Sequence, residues 1–397
     1  MTGEVKIRVE TSFRDISKES WDGLSGASKG QPGGLYNPFI SYAYLSALEE
    51  SGSATAETGW LGQHLLMEDD KGGLAGGLIS YLKNHSQGEY VFDHGWADAL
   101  ERAGGRYYPK LQSSVPFTPA TGPRLLAAIG ADTSVVRDSL AAGLQELARR
   151  HNVSSAHVTF VPEQEIPTFE RAGFLHRTDQ QFHFLNDGYA SHNDFLETLA
   201  SRKRKALKKE RRAALENHIS IDWLTGKDLT ESIWDQFFRF YMDTGGRKWG
   251  RPYLTRKFYS LIAQSMPDDI LLVMAKRNGK YIAGAINFIG SDALYGRHWG
   301  AIEDHPFLHF EVCYHQAIDF AISKGLNRVE AGAQGEHKLA RGYLPTTTHS
   351  AHFIAHPGLR RAVADYLERE RQDVEQMGDI LTEHSPFRKG ERQDIDD

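Results

Sequence analysis

Apolar residues recur at helical spacing from Thr133 to Arg150, where Val136, Leu140, Leu144 and Leu147 share one face. SAHVTFV, Ser155 to Val161, is rich in β-branched and apolar residues and predicts a short strand. EIPTFERAGF follows as a short helix closed by Gly173, because glycine accepts the left-handed backbone of a helix C-cap. A strand from Arg177 to Phe184 completes the group. The same order returns later in the chain. A helix is predicted over Phe310 to Lys324, the strand NRVEAGA over Asn327 to Ala333, and a short helix, HKLARGY, ending near Gly342. A strand from Thr347 to Ile354 then closes the second group.

The two endings align at a constant offset of 169 positions. AGFLHRTDQQFHF (172 to 184) and RGYLPTTTHSAHF (341 to 353) pair Gly173 with Gly342, Leu175 with Leu344 and Thr178 with Thr347. His183 then pairs with His352, Phe184 with Phe353, and Phe174 faces Tyr343. Solenoid repeats have periods of roughly 20–50 residues, so this spacing points to a duplicated α/β domain with mixed sheets. The expected division is a first domain over 1–190 and a second over 191–357, entered by a helix over 193–217. A helix over 358–387 follows, with Leu359, Val363, Tyr366, Leu367, Val374, Met377 and Leu381 as its stripe, and then a mobile tail over 388–397.

Composition narrows the class. The chain has 397 residues, 40% of them apolar and 25% charged, a globular balance whose length suits two domains. No apolar run is long enough to cross a bilayer, and MTGEVKIRVETSF has no export pattern. The single cysteine, Cys313, cannot form an internal disulfide and fits a reducing compartment. A cytoplasmic location is therefore expected. The net charge of −6 excludes a general nucleic-acid coat, so any polyanion contact must be local. One stretch is suited to it. SRKRKALKKERRAAL, Ser201 to Leu215, holds eight Lys or Arg in fifteen residues, opposed only by Glu210. Phe195, Leu196, Leu199, Ala206, Leu207 and Ala214 supply an inward stripe, and the cations fan over the remaining surface, either as a solvent layer or facing an anion.

Longer motifs carry a resemblance. RKWGRPYLT (247 to 255), LYGRHWG (294 to 300), PFLHFE (306 to 311) and VEAGAQGEHKLARGYLP (329 to 345) resemble the FemAB-like family. YYPKLQSSVPFTPATGPRLL (107 to 126) in the first half is similar to it too. That family is related to the Fem peptidyltransferases of peptidoglycan cross-bridge assembly and to the GNAT acyltransferase fold. The resemblance implies tandem GNAT-like domains and N-acyl or aminoacyl transfer to an amine, by direct attack without a covalent enzyme intermediate. It implies no tightly bound cofactor and no metal. The acyl donor is then a co-substrate, an acyl-coenzyme A or an aminoacyl-tRNA, and the acceptor is an amine-bearing small molecule or cell-wall precursor. Arg202, Lys203, Arg204 and Lys205 on the basic helix become donor contacts, for tRNA in particular. A coenzyme A donor would instead use the Gly122 to Arg124 turn. A non-catalytic module recognising a cell-wall precursor or nucleic acid is the competing class.

Acyl transfer needs a base for the amine, donors for the oxyanion and a proton for the leaving group. In a GNAT-like fold the oxyanion lies where two parallel strands splay, here those over 293–300 and 327–333. Gln334, Gly335, Glu336 and His337 follow directly. Candidate catalytic groups are Glu311, Glu330, Glu336, His337 and Tyr343. Each has a plainer role. Glu311 complements a helix N-terminus, Glu330 pairs with Arg297 or Arg328, His337 is exposed in a first turn, and Tyr343 packs like Phe174. His309, Glu311 and His315 are close enough in sequence to suggest a metal as well. Substrate contacts are expected from Trp96, Tyr108 and Lys110, from Arg247, Lys248 and Trp249 in the glycine-flanked GGRKWG loop, and from Arg297, Trp299, His309, Lys338 and Arg341. One departure stands out. AIEDHPFLHFE occupies the place of the usual basic, glycine-rich pyrophosphate turn, which favours a donor held in another way.

Overall fold

The computed structural model describes residues 6–31, 34–248, 252–333 and 335–388. In chain order the strands are β1 (Ile7–Glu10), β2 (Leu61–Gly62), β3 (His64–Glu68), β4 (Leu74–Leu78), β5 (Tyr81–Lys83), β6 (Lys110–Ser113), β7 (Leu126–Ala127) and β8 (Ser155–Val161). They continue as β9 (Leu175–Leu185), β10 (Ile219–Leu224), β11 (Ile270–Arg277), β12 (Lys280–Ile289), β13 (Ala293–Ala301), β14 (Arg328–Glu330) and β15 (Leu344–Ile354). The helices that matter below are α1 (His94–Arg102), α2 (Thr133–Arg150), α3 (Ser201–Ala214), α4 (Glu231–Lys248), α5 (Gln316–Lys324) and α6 (Pro357–Glu383).

The repeat appears as geometry. β9 and β15 are both eleven residues long and lie 169 positions apart. Gly173 and Gly342, just before them, both adopt the left-handed backbone, at φ 83° and 86°. The chain forms two compact units, and each takes its closing strand from the opposite half of the sequence. The first unit holds the chain up to Asp179, Tyr253–Ser265 and Thr347–Glu375, and so contains most of β15. The second holds Gln180–Pro252, Met266–Thr346 and the chain from Gln376, and so contains the end of β9.

In the first unit a small antiparallel sheet has the order β1-β3-β4-β7, and a mixed sheet the order β15-β8-β6-β5-β2. β6 and β8 run parallel, and β15 lies antiparallel to β8. α2 starts at Asp132, whose carboxylate accepts from the N–H groups of Ser134 and Val135, and ends on Arg149 and Arg150, which complement its dipole. Its Val136, Leu140, Leu144 and Leu147 are buried against Leu111, Ala156, Val158 and Phe353, as the spacing predicts. Each such aliphatic side chain contributes about 1.5–3 kcal/mol on leaving water.

In the second unit the order is β10-β11-β12-β13-β14-β9. Here β13 and β14 form the parallel pair, and β9 runs antiparallel to β14. The predicted helix over Phe310 to Lys324 is interrupted. Glu311–His315 forms a π-turn before α5 begins. Such turns widen a helix locally and often mark functional positions. The basic segment is likewise two helices, His192–Glu197 and α3, separated at Thr198–Ala200. Phe195, Leu196, Leu199, Leu207 and Ala214 are buried as expected, whereas Ala206 is exposed. The GGRKWG segment also departs from a loop, because α4 continues through Gly245 and Gly246 to Lys248.

Candidate active site

β13 and β14 pair only at Ala293↔Arg328, Leu294↔Val329 and Tyr295↔Glu330. β13 then runs on to Ala301 alone on that side, while the chain after Glu330 bends toward β9. Ala331 donates its N–H to the Phe182 carbonyl at 3.2 Å, and Gly332 accepts from the Phe182 N–H at 3.2 Å. The buried Lys338 ammonium donates to the carbonyls of Ala331 (2.5 Å) and Gly332 (2.9 Å). Lys338 therefore satisfies carbonyls that a continued parallel ladder would otherwise use. A bulge in the β12–β13 register between Ile286 and Asn287 adds local twist.

A cavity of about 100 Å³ opens in the resulting gap, lined by Asn287, Gly296, Arg297, His298, Cys313 and Tyr314 among others. Trp299 and His309 also line it, and both are shared with an adjoining cavity of about 360 Å³ bounded by Thr244, Glu303, Asp304 and His305. The Tyr314 hydroxyl lies 3.0 Å from His337 Nε2. Burial raises the Tyr314 pKa above the ordinary phenol value, so the group stays protonated. His337 is shifted down by partial burial, then by the charges of Arg341 and Lys338, so its imidazole is neutral at neutral pH. Burial also brings Lys338 down to about 8 and His298 to about 3. Tyr314, which lines the gap, thus keeps its hydroxyl in contact with a neutral imidazole.

Several expected residues lie elsewhere. Tyr343 is fully buried one layer behind and donates to the Tyr314 carbonyl at 3.1 Å. The phenol that reaches the cavity is Tyr314. Glu311 is also fully buried, held by Arg211 Nη2 at 2.8 Å, Arg211 Nε at 3.0 Å and Gln316 Nε2 at 2.7 Å. Arg211 also reaches Asp319 at 2.6 Å. These contacts make Glu311 an anchor for α3 and remove it as an amine's base. His315 turns to Glu210 at 3.0 Å, so Glu311, His315 and His309 do not converge. No cluster of three potential metal ligands occurs among the described residues. Glu330 is buried and bonded to Arg328 at 3.0 Å, one of the two partners expected for it. Arg341 joins Glu210 (2.8 and 2.6 Å) to the His337 carbonyl (2.5 Å), and its guanidinium lies 3.4 Å over the Phe310 ring. It braces the site loop instead of projecting to a substrate. Gly335 has φ 108° within that loop, and a Cβ there would strike the His337 ring. Arg204 pairs with Glu197, whereas Arg202, Lys203 and Lys205 are exposed.

The first unit's expected contacts are interior except Tyr108, which is half-buried. Lys110 is fully buried and bonded to Ser86 (2.7 Å), Glu89 (2.6 Å) and Asp93 (2.5 Å). Trp96 is buried edge-on against His352 at 5.0 Å, and Tyr108 bonds Ser86 at 2.8 Å. Arg124 is buried too. Its guanidinium donates to the carbonyls of Thr159, Gly122 and Ala120 at 3.1, 2.9 and 3.2 Å. The Gly122 N–H meets the Phe160 carbonyl at 3.1 Å. This turn stitches itself onto the end of β8, so its donors face protein carbonyls instead of a pyrophosphate. Trp249 and Gln334 lie outside the described residues, as do the side chains of Arg247, Lys248 and Glu336.

Tyr314, Cys313, Asn287 and His298 were not anticipated as site residues. Tyr314 and Cys313 had a usable signal, since both lie in the segment that follows the splaying strand β13. Asn287 had none, because its position depends on the bulge. The FemAB-like family model, described as peptidoglycan biosynthesis/recognition, matches residues 12–389. The chain belongs to the FemAB-like family. Among solved structures, FemX aligns with 11% identity and a TM-score of 0.53, covering 88% of this chain and 98% of that one. A conserved protein of unknown function from Bacteroides thetaiotaomicron aligns with 10% identity and a TM-score of 0.54, covering 87% and 99%. At such identities these matches show a shared fold. No curated protein sequence matches this FemAB-like chain. No helix among its described residues is long and apolar enough to cross a membrane.

Proposed function

We propose that this FemAB-like protein transfers an acyl or aminoacyl group to an amine on a cell-wall precursor, at the gap between β13 and β14. The observation that carries the reading is the cavity at the splay with the Tyr314 hydroxyl held 3.0 Å from His337. The acyl carbonyl occupies the gap, where β13 has lost its ladder partner past Tyr295 and its backbone N–H groups can receive the oxyanion. The amine attacks directly. Neutral His337 accepts the proton that the amine loses, and Tyr314 gives its own to the departing oxygen or sulfur. A proton passing from His337 to Tyr314 restores both groups. Lys338 holds the strand ends apart and Arg341 fixes the loop.

An aminoacyl-tRNA is favoured as donor over a coenzyme A thioester. The adjoining cavity, where a pyrophosphate turn would lie, is lined by Glu303 and Asp304. The cations are displayed on α3 instead. The direct test incubates purified protein with labelled alanyl-tRNA or acetyl-coenzyme A and a precursor peptide bearing a free amine, followed by mass spectrometry. Acylated peptide from wild type, reduced at least about 100-fold in Tyr314→Phe, is the expected result. Binding of the precursor without any transfer from either donor favours the non-catalytic recognition module.

A further inference from the structure

We infer that the groove beside Trp223 is a stacking site for an unpaired RNA base, and that the outer face of α3 carries the adjoining phosphates. At about 100° per residue, Lys205, Lys208, Lys209 and Arg212 fall within about 100° of arc on α3, and Arg202 prolongs the line. Leu207, Glu210, Arg211 and Ala214 occupy the opposite side and are turned inward. Arg202, Lys203, Lys205, Lys208, Lys209 and Arg212 are exposed, and none forms an ion pair with another described residue. From Arg202 to Arg212 the line is about 15 Å long. That length matches about four phosphates of one helical strand, which lie about 3.4 Å apart along the axis.

The line ends at an aromatic surface. Leu215, three residues beyond Arg212, begins an open groove of about 720 Å³ that includes Ile221, Trp223, Leu224, Asp228 and Gln316. Trp223 lies on β10, the edge strand of this sheet, and is 38% exposed. Its indole N–H donates to Gln316 Oε1 at 2.7 Å, and its ring stands edge-on to Phe320 at 5.4 Å. Both contacts fix the ring's orientation while leaving surface for a flat ligand. Of the two acids in the groove, Asp222 is engaged by Lys276 (2.6 Å) and Tyr281 (2.7 Å). Asp228 is exposed, without an ion-pair partner among the described residues. A carboxylate there accepts from an exocyclic amine, which cytosine offers and uracil lacks. Cations leading to an exposed aromatic fit a single strand, with phosphates on the charges and a base on the ring. A membrane fits less well, because the exposed apolar groups, Leu215 and Trp223, lie at one end of the cationic line and not along it.

This inference rests on the reading that a nucleic acid brings the donor to the second unit, yet it is tested by binding alone. Fluorescence anisotropy of labelled single-stranded oligo(C) and oligo(U) RNA is measured against the full-length protein, with an RNA duplex and anionic vesicles as controls. Oligo(C) should bind more tightly than oligo(U) and than the duplex. Trp223→Ala should weaken oligo(C) binding about 10-fold, and Trp223→Phe, which keeps a ring, by less. Replacing Lys205, Lys208, Lys209 and Arg212 with Ala should lower the salt slope by about 3. Unchanged affinity in both Trp223 variants overturns the base site, as does equal binding to duplex or preferential binding to vesicles. If Tyr314→Phe retains transfer while these RNA effects appear, the catalytic reading fails and the RNA site stands.

Discussion

The basic helix is anchored through two consecutive residues, and breaking that anchor should be costly. Arg211→Met keeps the length and packing of the aliphatic stem but removes the guanidinium that holds Glu311 at 2.8 and 3.0 Å and Asp319 at 2.6 Å. Glu311 is 0% exposed and retains Gln316 as its neutral hydrogen-bond donor. Removing one partner of a buried pair costs about 3–5 kcal/mol, because the remaining charge stays desolvated. In a unit of 150–250 residues each kcal/mol lowers Tm by about 2–4 °C. The second unit's transition should therefore fall by about 6–20 °C in differential scanning calorimetry of the full chain. Adding Glu311→Gln should recover at least half of the loss, since the uncompensated charge has gone. A drop under 2 °C for Arg211→Met would put the pair in the range of exposed surface bridges and refute the anchoring argument. A full drop unrelieved by Glu311→Gln would assign the cost to Asp319 or to lost packing.

Three further outcomes follow from the same geometry. Arg124→Met should lower the first unit's stability by about 2–4 kcal/mol in urea unfolding, because the backbone carbonyls of Ala120, Gly122, Pro123 and Thr159 lose a charged donor together. Lys338 titrates near 8 when folded, against 10.5 in the unfolded chain. The unfolded state therefore binds more protons between these values, and stability of the second unit should rise with pH from about 8 to 10.5. In Lys338→Met that rise should vanish in pH-dependent melting curves. On the proposed roles, in which the site loop meets the acyl group and α3 meets phosphates, His337→Ala should abolish transfer and leave RNA anisotropy unchanged.

Much of the fold was legible because it was written locally. The α2 stripe, the glycines at 173 and 342, and the equal strands β9 and β15 all follow from periodicity and backbone freedom. The assignment of those strands to units was not legible, because a strand's own residues do not name its partner. Buried charge was the main source of misplacement in the site. Lys110, Arg124 and Glu311 have side-chain types associated with surfaces and chemistry, yet each is enclosed, Lys110 and Glu311 by charges distant in sequence and Arg124 mainly by carbonyls of its own turn. Glu311 illustrates the point, because its partner Arg211 lies one hundred positions away. The parallel pairing of β13 and β14 was legible from strand order, although β14 ends at Glu330, short of the expected Ala333. Tyr314 had a signal in its segment, which follows β13, but which side chain of that segment reaches the gap depends on the π-turn over Glu311–His315, and that turn has no simple sequence signature.

Cys313 lines the proposed acyl cavity and is the sole cysteine, so its reactivity reports directly on what enters the gap. The decisive measurement is the iodoacetamide alkylation rate of Cys313 in native protein, alone and with saturating alanyl-tRNA or acetyl-coenzyme A. Acyl-group entry predicts that at least one donor slows alkylation about 10-fold or more, while uncharged tRNA and free coenzyme A protect less. Identical rates under all conditions would contradict the assignment of this gap as the acyl site.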